Sequence, residues 1–405
     1  MLTRFAMRDI RKMWKRSLAV IAVVAVSVFL LQFGGSYVDG FRDKVQQQAV
    51  RESGHIRLAA QGYDKKIDLL PLEPNMPWTK ALEESLSTLS KVRMVRPMIR
   101  FGALANSPDR TLEMQLNATT PEAARAIWGR LERAMIDGEF LDGSNQVMLG
   151  SNAAKLLDVK AGEKIILLTS DVYGGMSAVE PVVRGIFRSL NEDEDATLVI
   201  GELNTVQRLV ALENRVTSVT LELESLEALD DVLPVVKSQF ADRYQVTSWK
   251  EDQAALIQLL DVSEIGIWVI TLIILVVASL GMINTFLISV LERLREFGTL
   301  RAVGLLPRQL IKIVLFQGAV LGLIGTIVGL IFSLPITFYF YAHPIDLGEA
   351  MQGLEGIDSL IWFTFVPETT IKIALLGMLI SIFASLYPAY WASKKQPVEI
   401  LRELG

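Results

Sequence analysis

The pattern of apolar and charged positions divides the chain into four long apolar runs and one large polar insert. The runs carry few charged side chains, and each is long enough to cross the roughly 30 Å hydrocarbon core of a bilayer as a helix. They predict transmembrane helices over residues 17–39, 263–291, 310–341 and 371–392. The first run could instead be the core of a cleaved signal peptide, but it is long for one and no A-x-A site follows it. We therefore interpret it as a membrane anchor.

The insert, residues 40–262, has an ordinary soluble composition and mixes strand-like and helix-like periodicities. The predicted strands are 54–60, 92–105, 111–117, 164–170, 179–187, 198–200, 218–223 and 244–247; the predicted helices are 79–89 and 226–240, and 147–157 is a strand that runs into a helix. Tyr173-Gly174-Gly175 predicts a hairpin-like turn between strands 164–170 and 179–187. The fold class is thus an α-helical membrane protein with four transmembrane helices. A large α+β extracytoplasmic domain of one or two lobes is inserted between helices 1 and 2.

Both junctions between the insert and the membrane lack a strong helix breaker. Val38, Phe41, Val45 and Ala49 continue an apolar stripe after the first span, and residues 254–263 contain neither glycine nor proline. We expect both helices to leave the bilayer as a paired stalk, in which about 12 further residues reach roughly 18 Å. A flexible linker is the alternative.

Basic residues mark both ends of the chain and the loop between the second and third spans. Residues 1–16 predict an amphipathic helix in the membrane interface, with a plain charged flank as the alternative. The outer loop, 342–370, is acidic without lysine or arginine, whereas the tail, 393–405, is basic. The positive-inside rule predicts cytoplasmic termini and an insert on the outer side of the membrane.

The charged segment 292–309 separates the second and third spans on the predicted cytoplasmic side. Its apolar residues Leu294, Phe297, Leu300 and Val303 recur every three positions, which predicts short helical turns with one apolar face. An amphipathic helix between two spans is suited to docking a soluble partner. We call residues 292–309 the coupling segment and expect it to receive force from that partner.

The third span carries a stripe of glycines. Gly318, Gly322, Gly325 and Gly329 recur at spacings of four, three and four, which predicts one helix face that another helix backbone can approach closely. Glycine is also frequent in membrane helices without such a role, which is the alternative.

Several classes of chemistry have no signature in the sequence. The chain has no cysteine, no G-x-x-x-x-G-K-[ST] phosphate loop and no H-E-x-x-H, and its net charge of −5 comes with no separate basic patch for nucleic acid. His55 is expected to be structural, and the acidic run 192–195 a solvated loop. The spans lack the intramembrane charges of an ion or polar-solute pathway. We predict no catalytic, cofactor-binding or metal-binding residue in this chain.

Residues 291–330 resemble the hallmark of FtsX/MacB-type ABC transporter permeases, E-R-x-R-E-[FI]-G-x-x-[RK]-A-x-G followed by a glycine-rich span. The matching positions are Glu292, Arg293, Arg295, Glu296, Gly298, Arg301, Ala302 and Gly304. The tail from Pro388 to Arg402 resembles the family's P-A-x-x-A-x-x-x-x-P-[VI]-[ED]-x-L-R ending. In the insert, GHIRLAAQGY at 54–63 and the stretch 138–162 are most similar to the lipoprotein-releasing (LolC/LolE-like) branch.

The resemblance implies the membrane subunit of an ATP-hydrolysing translocase in a bacterial inner membrane. ATP and Mg²⁺ would be bound by two copies of a separate ATPase in the cytoplasm, which would contact the eight matching residues. The partners would be a second permease, identical or related, and a periplasmic carrier or adaptor protein. In the implied mechanism, mechanotransmission, closure of the ATPases moves the spans, and the stalks lever the periplasmic domain.

The sequence leaves the cargo open. The favoured function is extraction or export of a lipoprotein, lipid or other hydrophobic substrate from the outer face of the inner membrane. One alternative is an FtsX-like signal transducer that activates a cell-wall hydrolase, although an insert of more than 200 residues is large for that role. The other is an efflux permease for drugs or peptides in a tripartite pump.

Overall fold

The computed structural model describes residues 13–63, 72–189, 192–346 and 360–395. Most of the predicted interfacial helix over 1–16 lies outside these residues, as does the end of the tail motif. The described residues form two compact units. One is a helical unit of residues 13–44, 258–346 and 360–395, and the other is the insert unit, Val45–Ile257.

The helices in chain order are α1 (Trp14–Ser53), α2 (Lys80–Ser87), α3 (Pro121–Trp128), α4 (Ser151–Leu157), α5 (Glu192–Thr197), α6 (Leu203–Leu209), α7 (Ala228–Phe240), α8 (Trp249–Asp252), α9 (Ala254–Glu292), α10 (Leu294–Ala302), α11 (Pro307–Ala342) and α12 (Pro367–Lys394). A 3₁₀ helix, Gly129–Ala134, follows α3.

The strands are β1 (Ile56–Ala60), β2 (Met76–Pro77), β3 (Val92–Asn106), β4 (Thr111–Thr119), β5 (Met135–Gly138), β6 (Gln146–Gly150), β7 (Ile166–Ser170), β8 (Met176–Val179), β9 (Val182–Phe187), β10 (Leu198–Glu202), β11 (Arg215–Val216), β12 (Ser218–Leu223), β13 (Tyr244–Ser248), β14 (Ile345–Asp346) and β15 (Leu360–Ile361).

The helical unit is built on the four apolar runs. In the described part of the chain, α1, α9, α11 and α12 are long and apolar enough to cross a membrane. They share an apolar core that includes Val24 of α1, Phe286 of α9, Leu321 of α11 and Ala384 of α12. The prediction of four membrane helices with an α+β domain between the first two is confirmed.

Helices α1 and α9 are longer than a bilayer requires. They contain 40 and 39 residues without interruption, so at 1.5 Å per residue each is about 60 Å long, twice the hydrocarbon thickness. Arg42 of α1 and Glu264 of α9 form an ion pair of 3.1 Å. Both side chains are about half exposed, so this pair adds little stability.

The end of the outer loop packs against α1. The Thr364 amide donates to the Ser36 carbonyl at 2.9 Å, and the Phe33 and Phe363 ring centroids are 4.7 Å apart. A Cβ at Gly40 would overlap the Trp362 carbonyl, so only glycine permits this approach. The two-residue ladder of β14 and β15 in this loop was not predicted.

The insert unit contains one large mixed sheet. Among the described strands the order is β13-β1-β12-β3-β4-β10-β6-β9-β5, with β7 paired to β3 and β8. The long strand β3 joins two halves, because β12 pairs with its N-terminal part up to Met98 and β4 pairs with the part from Ile99 onward. Most pairings are antiparallel; β4 with β10 and β6 with β9 are parallel.

Alternating side chains place the sheet between two apolar cores. On β10, Val199 belongs to the larger core and its neighbour Ile200 to the smaller one; on β6, Leu149 and Met148 divide in the same way. This period of two is that of a strand buried on both faces. The predicted helix over 79–89 is α2, and the Thr79 hydroxyl caps it by accepting from the Leu82 amide at 3.3 Å.

One strand assignment was wrong. The hairpin at Tyr173-Gly174-Gly175 joins β7 to β8, not to the strand predicted over 179–187. That strand begins at Val182, as β9, and pairs with β6 and β5. Strand β8 has only four residues, and only two residues, the second of them Pro181, separate it from β9. The end of β8 and the whole of β9 were therefore predicted as a single strand.

Candidate functional site

The coupling segment folds as a short helix between two sharp turns. Helix α9 ends at Glu292, and α10 begins at Leu294. Gly304 has a φ of +107°, a conformation that favours glycine, and it turns the chain after α10. Helix α11 then begins at Pro307, the position where the fixed φ of proline fits best. The Gln309 side chain accepts from the Leu306 amide at 2.9 Å and so satisfies a donor at this helix start.

One side of α10 is buried against the membrane helices. Leu294 and Phe297 are almost fully inaccessible. Phe297 belongs to an apolar cluster whose other members are Val290, Leu310, Val314, Ala389 and Ala392. Since these residues come from α9, α11 and α12, the cluster fixes α10 to three of the four membrane helices.

Arg293 lies in the interior of this arrangement. Its side chain is only 8% exposed, and its guanidinium carbon lies 4.6 Å from the centroid of the Phe297 ring. Nη1 donates to Oε1 of Gln317 on α11 at 3.5 Å, and Nε lies 3.5 Å from Oε2 of Glu296. A buried arginine with these partners positions the segment and is not free to contact a docked protein.

Two other charged residues of the motif also bind within the chain. Arg301 donates from Nη1 to the Ser393 carbonyl at 3.1 Å and to the Lys395 carbonyl, which joins α10 to the end of α12. Glu292 forms an ion pair with Arg16 near the start of α1. Gly298 is buried in α10. Four of the eight motif residues therefore hold the segment in place.

The opposite side of the segment is exposed. Of the motif residues, Arg295, Glu296, Ala302 and Gly304 lie there. We define the docking face as Arg295, Glu296, Thr299, Ala302, Val303 and Leu306. Val303 was predicted to share one apolar helix face with Leu294, Phe297 and Leu300, but it follows the last residue of α10 and is 84% exposed. Leu306 is 60% exposed. Val303 and Leu306 therefore give the docking face exposed apolar side chains that the family motif does not contain.

The glycine stripe of α11 contacts two helices instead of one. A Cβ at Gly318 would lie 2.5 Å from Ser385 Oγ, and one at Gly322 would lie 2.7 Å from Ser381 Cβ, both on α12. A Cβ at Gly325 would lie 2.6 Å from Val24 Cβ, and one at Gly329 would lie 2.7 Å from the Ala25 carbonyl oxygen, both on α1. The Ser381 hydroxyl also donates to the Gly318 carbonyl at 2.8 Å, which links α12 to α11.

Residues considered for metal binding have structural contacts. The prediction of a solvated loop over 192–195 was wrong, because this run begins helix α5. Asp195 is buried, and its carboxylate accepts from the Ser151 hydroxyl at 2.9 Å and from the Ser189 amide at 2.5 Å. His55 is buried, and its Nδ1 accepts from the Leu223 amide at 3.1 Å. Within the described ranges, no group of three or more histidine, aspartate and glutamate side chains is placed to hold a metal ion.

The fold and this segment define a class: a four-helix membrane protein with a large insert after its first helix and a short helix, α10, between its second and third membrane helices. Residues 17–238 match the MacB-like periplasmic core domain, and residues 268–397 match the C-terminal part of FtsX-like permeases. The chain belongs to this family of FtsX-like permeases with a MacB-like periplasmic domain and is an ABC transporter permease of the LolC/LolE type.

The chain is also similar to individual proteins. The lipoprotein-releasing system transmembrane protein LolC of Xylella fastidiosa (strain 9a5c) is 22% identical over 411 residues, which cover 95% of this chain and 93% of that protein. LolE of Haemophilus influenzae is 20% identical over 93% of this chain and 92% of its own length. The periplasmic region of MacB from Actinobacillus actinomycetemcomitans aligns with 53% of this chain and 97% of its own chain, at 12% identity and a TM-score of 0.36.

Proposed function

We propose that the chain is the membrane subunit of an ATP-driven transporter that extracts a lipoprotein, or another lipid-anchored or hydrophobic substrate, from the outer face of the inner membrane. The observation that carries the mechanical part is the coupling segment, which is fixed to α9, α11 and α12 on one side and exposed on the other. Similarity to LolC and LolE over most of the chain supports the lipoprotein cargo.

The docking face receives a separate ATPase on the cytoplasmic side, where both termini of the chain also lie. It combines the exposed apolar side chains of Val303 and Leu306 with the exposed charges of Arg295 and Glu296, and protein interfaces typically combine apolar anchors with polar residues. ATP and Mg²⁺ are bound and hydrolysed in that partner, which acts as a dimer. The permease converts the closure of the ATPase dimer into displacement of its helices.

The second permease subunit packs on the exposed side of α9. Asn284 is an exposed amide in a stretch without charged side chains, and a Cβ at Gly281, one turn earlier, would have no neighbour within 4 Å, which leaves room for another helix backbone. A lipid-facing amide is costly, but an amide is both donor and acceptor and can pair with its own copy across a parallel helix dimer. We therefore assign this side of α9 to the subunit interface.

Replacing Asn284 with leucine is expected to weaken the pairing of permease subunits. A polar contact between membrane helices contributes about 0.6–2 kcal/mol, so the dissociation constant should rise about three- to thirtyfold. Energy transfer between labelled permeases in liposomes measures this. Ser279→Ala is the control, since the Ser279 hydroxyl donates to the Leu275 carbonyl of its own helix at 2.7 Å. Equal dissociation constants for the two variants would remove Asn284 from the interface.

A periplasmic partner is assigned to the tip of the β7–β8 hairpin. Tyr173 is 85% exposed and Met176 is 75% exposed, although large apolar side chains of this kind are usually buried in a folded domain. Tyrosine and methionine are enriched at protein interfaces, and exposed methionine adapts to varied surfaces. This tip is the part of the insert that we expect a lipoprotein carrier to bind.

Replacing both Tyr173 and Met176 with serine should weaken binding of a purified periplasmic lipoprotein carrier at least tenfold, as measured by biolayer interferometry. Loss of one interfacial aromatic anchor alone costs about 2 kcal/mol or more. Ile136→Ser provides the control, because Ile136 is an exposed apolar residue of the same unit outside the hairpin. Unaltered carrier affinity in the double variant would exclude the tip as the contact.

The proposed function is tested by the ATPase activity of the assembled complex in membrane discs. A tri-acylated lipoprotein should stimulate hydrolysis, and the same protein without its acyl chains should not. Stimulation by neither form, combined with activation of a cell-wall hydrolase by the insert, would instead establish a signal transducer.

A further inference from the structure

We propose that Arg96, Arg57 and Asp252 are positioning residues that fasten the end of α1 to β3 and the start of α9 to β1, two strands of one sheet, so that both membrane helices move the insert as one body. The inference rests on the proposed function, because it identifies how displacement of the helices would reach the periplasmic domain. All the contacts that carry it lie within the insert unit, Val45–Ile257.

Arg96 caps the C-terminal end of α1. It lies in β3, its side chain is 1% exposed, and its Nη1 donates to the carbonyl of Arg51 in the last turn of α1 at 3.1 Å. Carbonyls at a helix C-terminus have no partner within the helix and carry partial negative charge, so a buried cation there satisfies both needs. Burial lowers the pKa of Arg96 to about 10, and the side chain therefore stays charged at pH 7.

Gly54 makes this close approach possible. Its φ of +76° ends α1 in the left-handed conformation that glycine favours. A Cβ at this position would lie 2.7 Å from Thr220 Cβ and 3.1 Å from Arg96 Nη2. The chain passes directly from α1 through Gly54 into β1 without a flexible connection.

His55 joins the same cluster as a neutral side chain. Burial, and then the charge of Arg96, lower the pKa of His55 to about 4. The neutral ring can therefore accept from the Leu223 amide of β12 at 3.1 Å. The His55 carbonyl accepts from the Trp249 amide at 3.1 Å, so this residue contacts both β12 and the first residue of α8, which directly follows β13.

A buried ion pair fastens the start of α9 to β1. Arg57 contacts Asp252 through two parallel bonds, Nε to Oδ2 at 2.6 Å and Nη2 to Oδ1 at 2.7 Å, and the side chains are 8% and 11% exposed. Asp252 is the last residue of α8, and α9 begins two residues later. Because β1 follows α1 and pairs with β13, which precedes α8, both helix ends join one pair of strands.

The contacts of Arg96, Arg57 and Asp252 do more than stabilise the insert, because they involve the ends of the two membrane helices. A bidentate arginine–carboxylate pair fixes the relative orientation of the two side chains as well as their distance. Surface ion pairs elsewhere in the insert, such as Arg184 with Asp142, join strands and loops far in sequence from either membrane helix. Among the ion pairs described for this unit, only Arg57 with Asp252 joins a strand to the residues that lead into a membrane helix.

The test measures the rigidity of this junction without reference to cargo. The chain has no cysteine, so spin labels can be placed at introduced pairs, Gln47 with Ala241 for α1 and Ala255 with Ala241 for α9. Arg96→Met keeps the aliphatic stem and removes the cap. Arg57→Met with Asp252→Leu removes the ion pair without leaving a buried unpaired charge. Arg184→Met is the matched control.

In the full complex, we expect electron–electron distance distributions at least twofold broader in both junction variants than in the wild type and in Arg184→Met. Release of lipoprotein per ATP hydrolysed, measured well below the unfolding temperature of every variant, should fall at least fivefold. Arg96→Lys, which retains the charge, should recover part of the loss.

Distributions as narrow as those of the wild type in both junction variants would overturn the inference. So would a fall in release fully accounted for by a lower unfolding temperature. If the wild type releases no lipoprotein at all, the proposed cargo fails, but the distance distributions still decide whether the junction is rigid.

Discussion

Replacing Glu296 with lysine is expected to reduce ATPase recruitment to the permease at least tenfold while the permease still inserts and folds. Glu296 lies on the docking face with its side chain 45% exposed. A basic residue of the ATPase that pairs with Glu296 would be repelled by a lysine at this position, and like charges at an interface cost several kcal/mol. It also places a second cation close to Arg293, whose Nε now lies 3.5 Å from the carboxylate. Co-purification of the ATPase in a fixed detergent measures the effect.

Asp261→Lys is the matched control, since it reverses an exposed acidic residue at the other end of α9. Gly304→Trp should reduce ATPase recruitment as much as Glu296→Lys does, but for a different reason. The φ of +107° at position 304 strains any residue with a Cβ. A bulky side chain at this position would also cover part of the docking face. Normal recruitment in both Glu296→Lys and Gly304→Trp would show that the ATPase docks elsewhere.

Replacing Gly322 with leucine is expected to prevent folding of the helical unit. The added Cβ would lie 2.7 Å from Ser381 Cβ and 3.2 Å from the Met378 carbonyl oxygen, and backbone cannot yield as a flexible side chain can. Overpacking by a single methylene group costs about 1–3 kcal/mol, and a whole leucine side chain between two helix backbones costs more. The yield of monodisperse permease by size-exclusion chromatography should fall at least tenfold.

Gly34→Leu serves as its control, because a Cβ at Gly34 of α1 would have no neighbour within 4 Å. Both variants add the same apolar volume to a membrane helix, so any difference reports packing and not insertion. A wild-type yield of Gly322→Leu would mean that α11 and α12 are not held this closely together.

The parts of the fold that periodicity determines could be predicted from sequence. The four spans follow from uninterrupted apolar runs, and strands such as β3 and β12 follow from alternation and β-branched residues. The β7–β8 hairpin was assigned to the wrong strand because β8 has four residues and merges with the start of β9 in a one-dimensional pattern. Pairing partners that are distant in sequence leave no local signal.

Which residues of the coupling segment are buried and which are exposed could not be predicted, because this depends on tertiary contacts. Arg293 and Arg295 are chemically identical and two positions apart, yet the first is buried against Phe297 and Gln317 and the second is exposed. A spacing of three predicted that Val303 shares an apolar helix face with Leu294 and Phe297, but α10 ends at Ala302, so Val303 lies outside the helix. Similarly, Arg96 in a strand reads as a surface cation, and only the position of the α1 terminus shows why it is buried.

The central claim is that force entering at the docking face moves lipid-anchored substrate out of the membrane. Its most direct test is transfer of a fluorescent tri-acylated lipoprotein from proteoliposomes, containing the permease and its ATPase, to a soluble carrier. We predict transfer that requires ATP hydrolysis and that Glu296→Lys abolishes. Transfer at the same rate without ATP, or undiminished transfer by Glu296→Lys, would contradict the account.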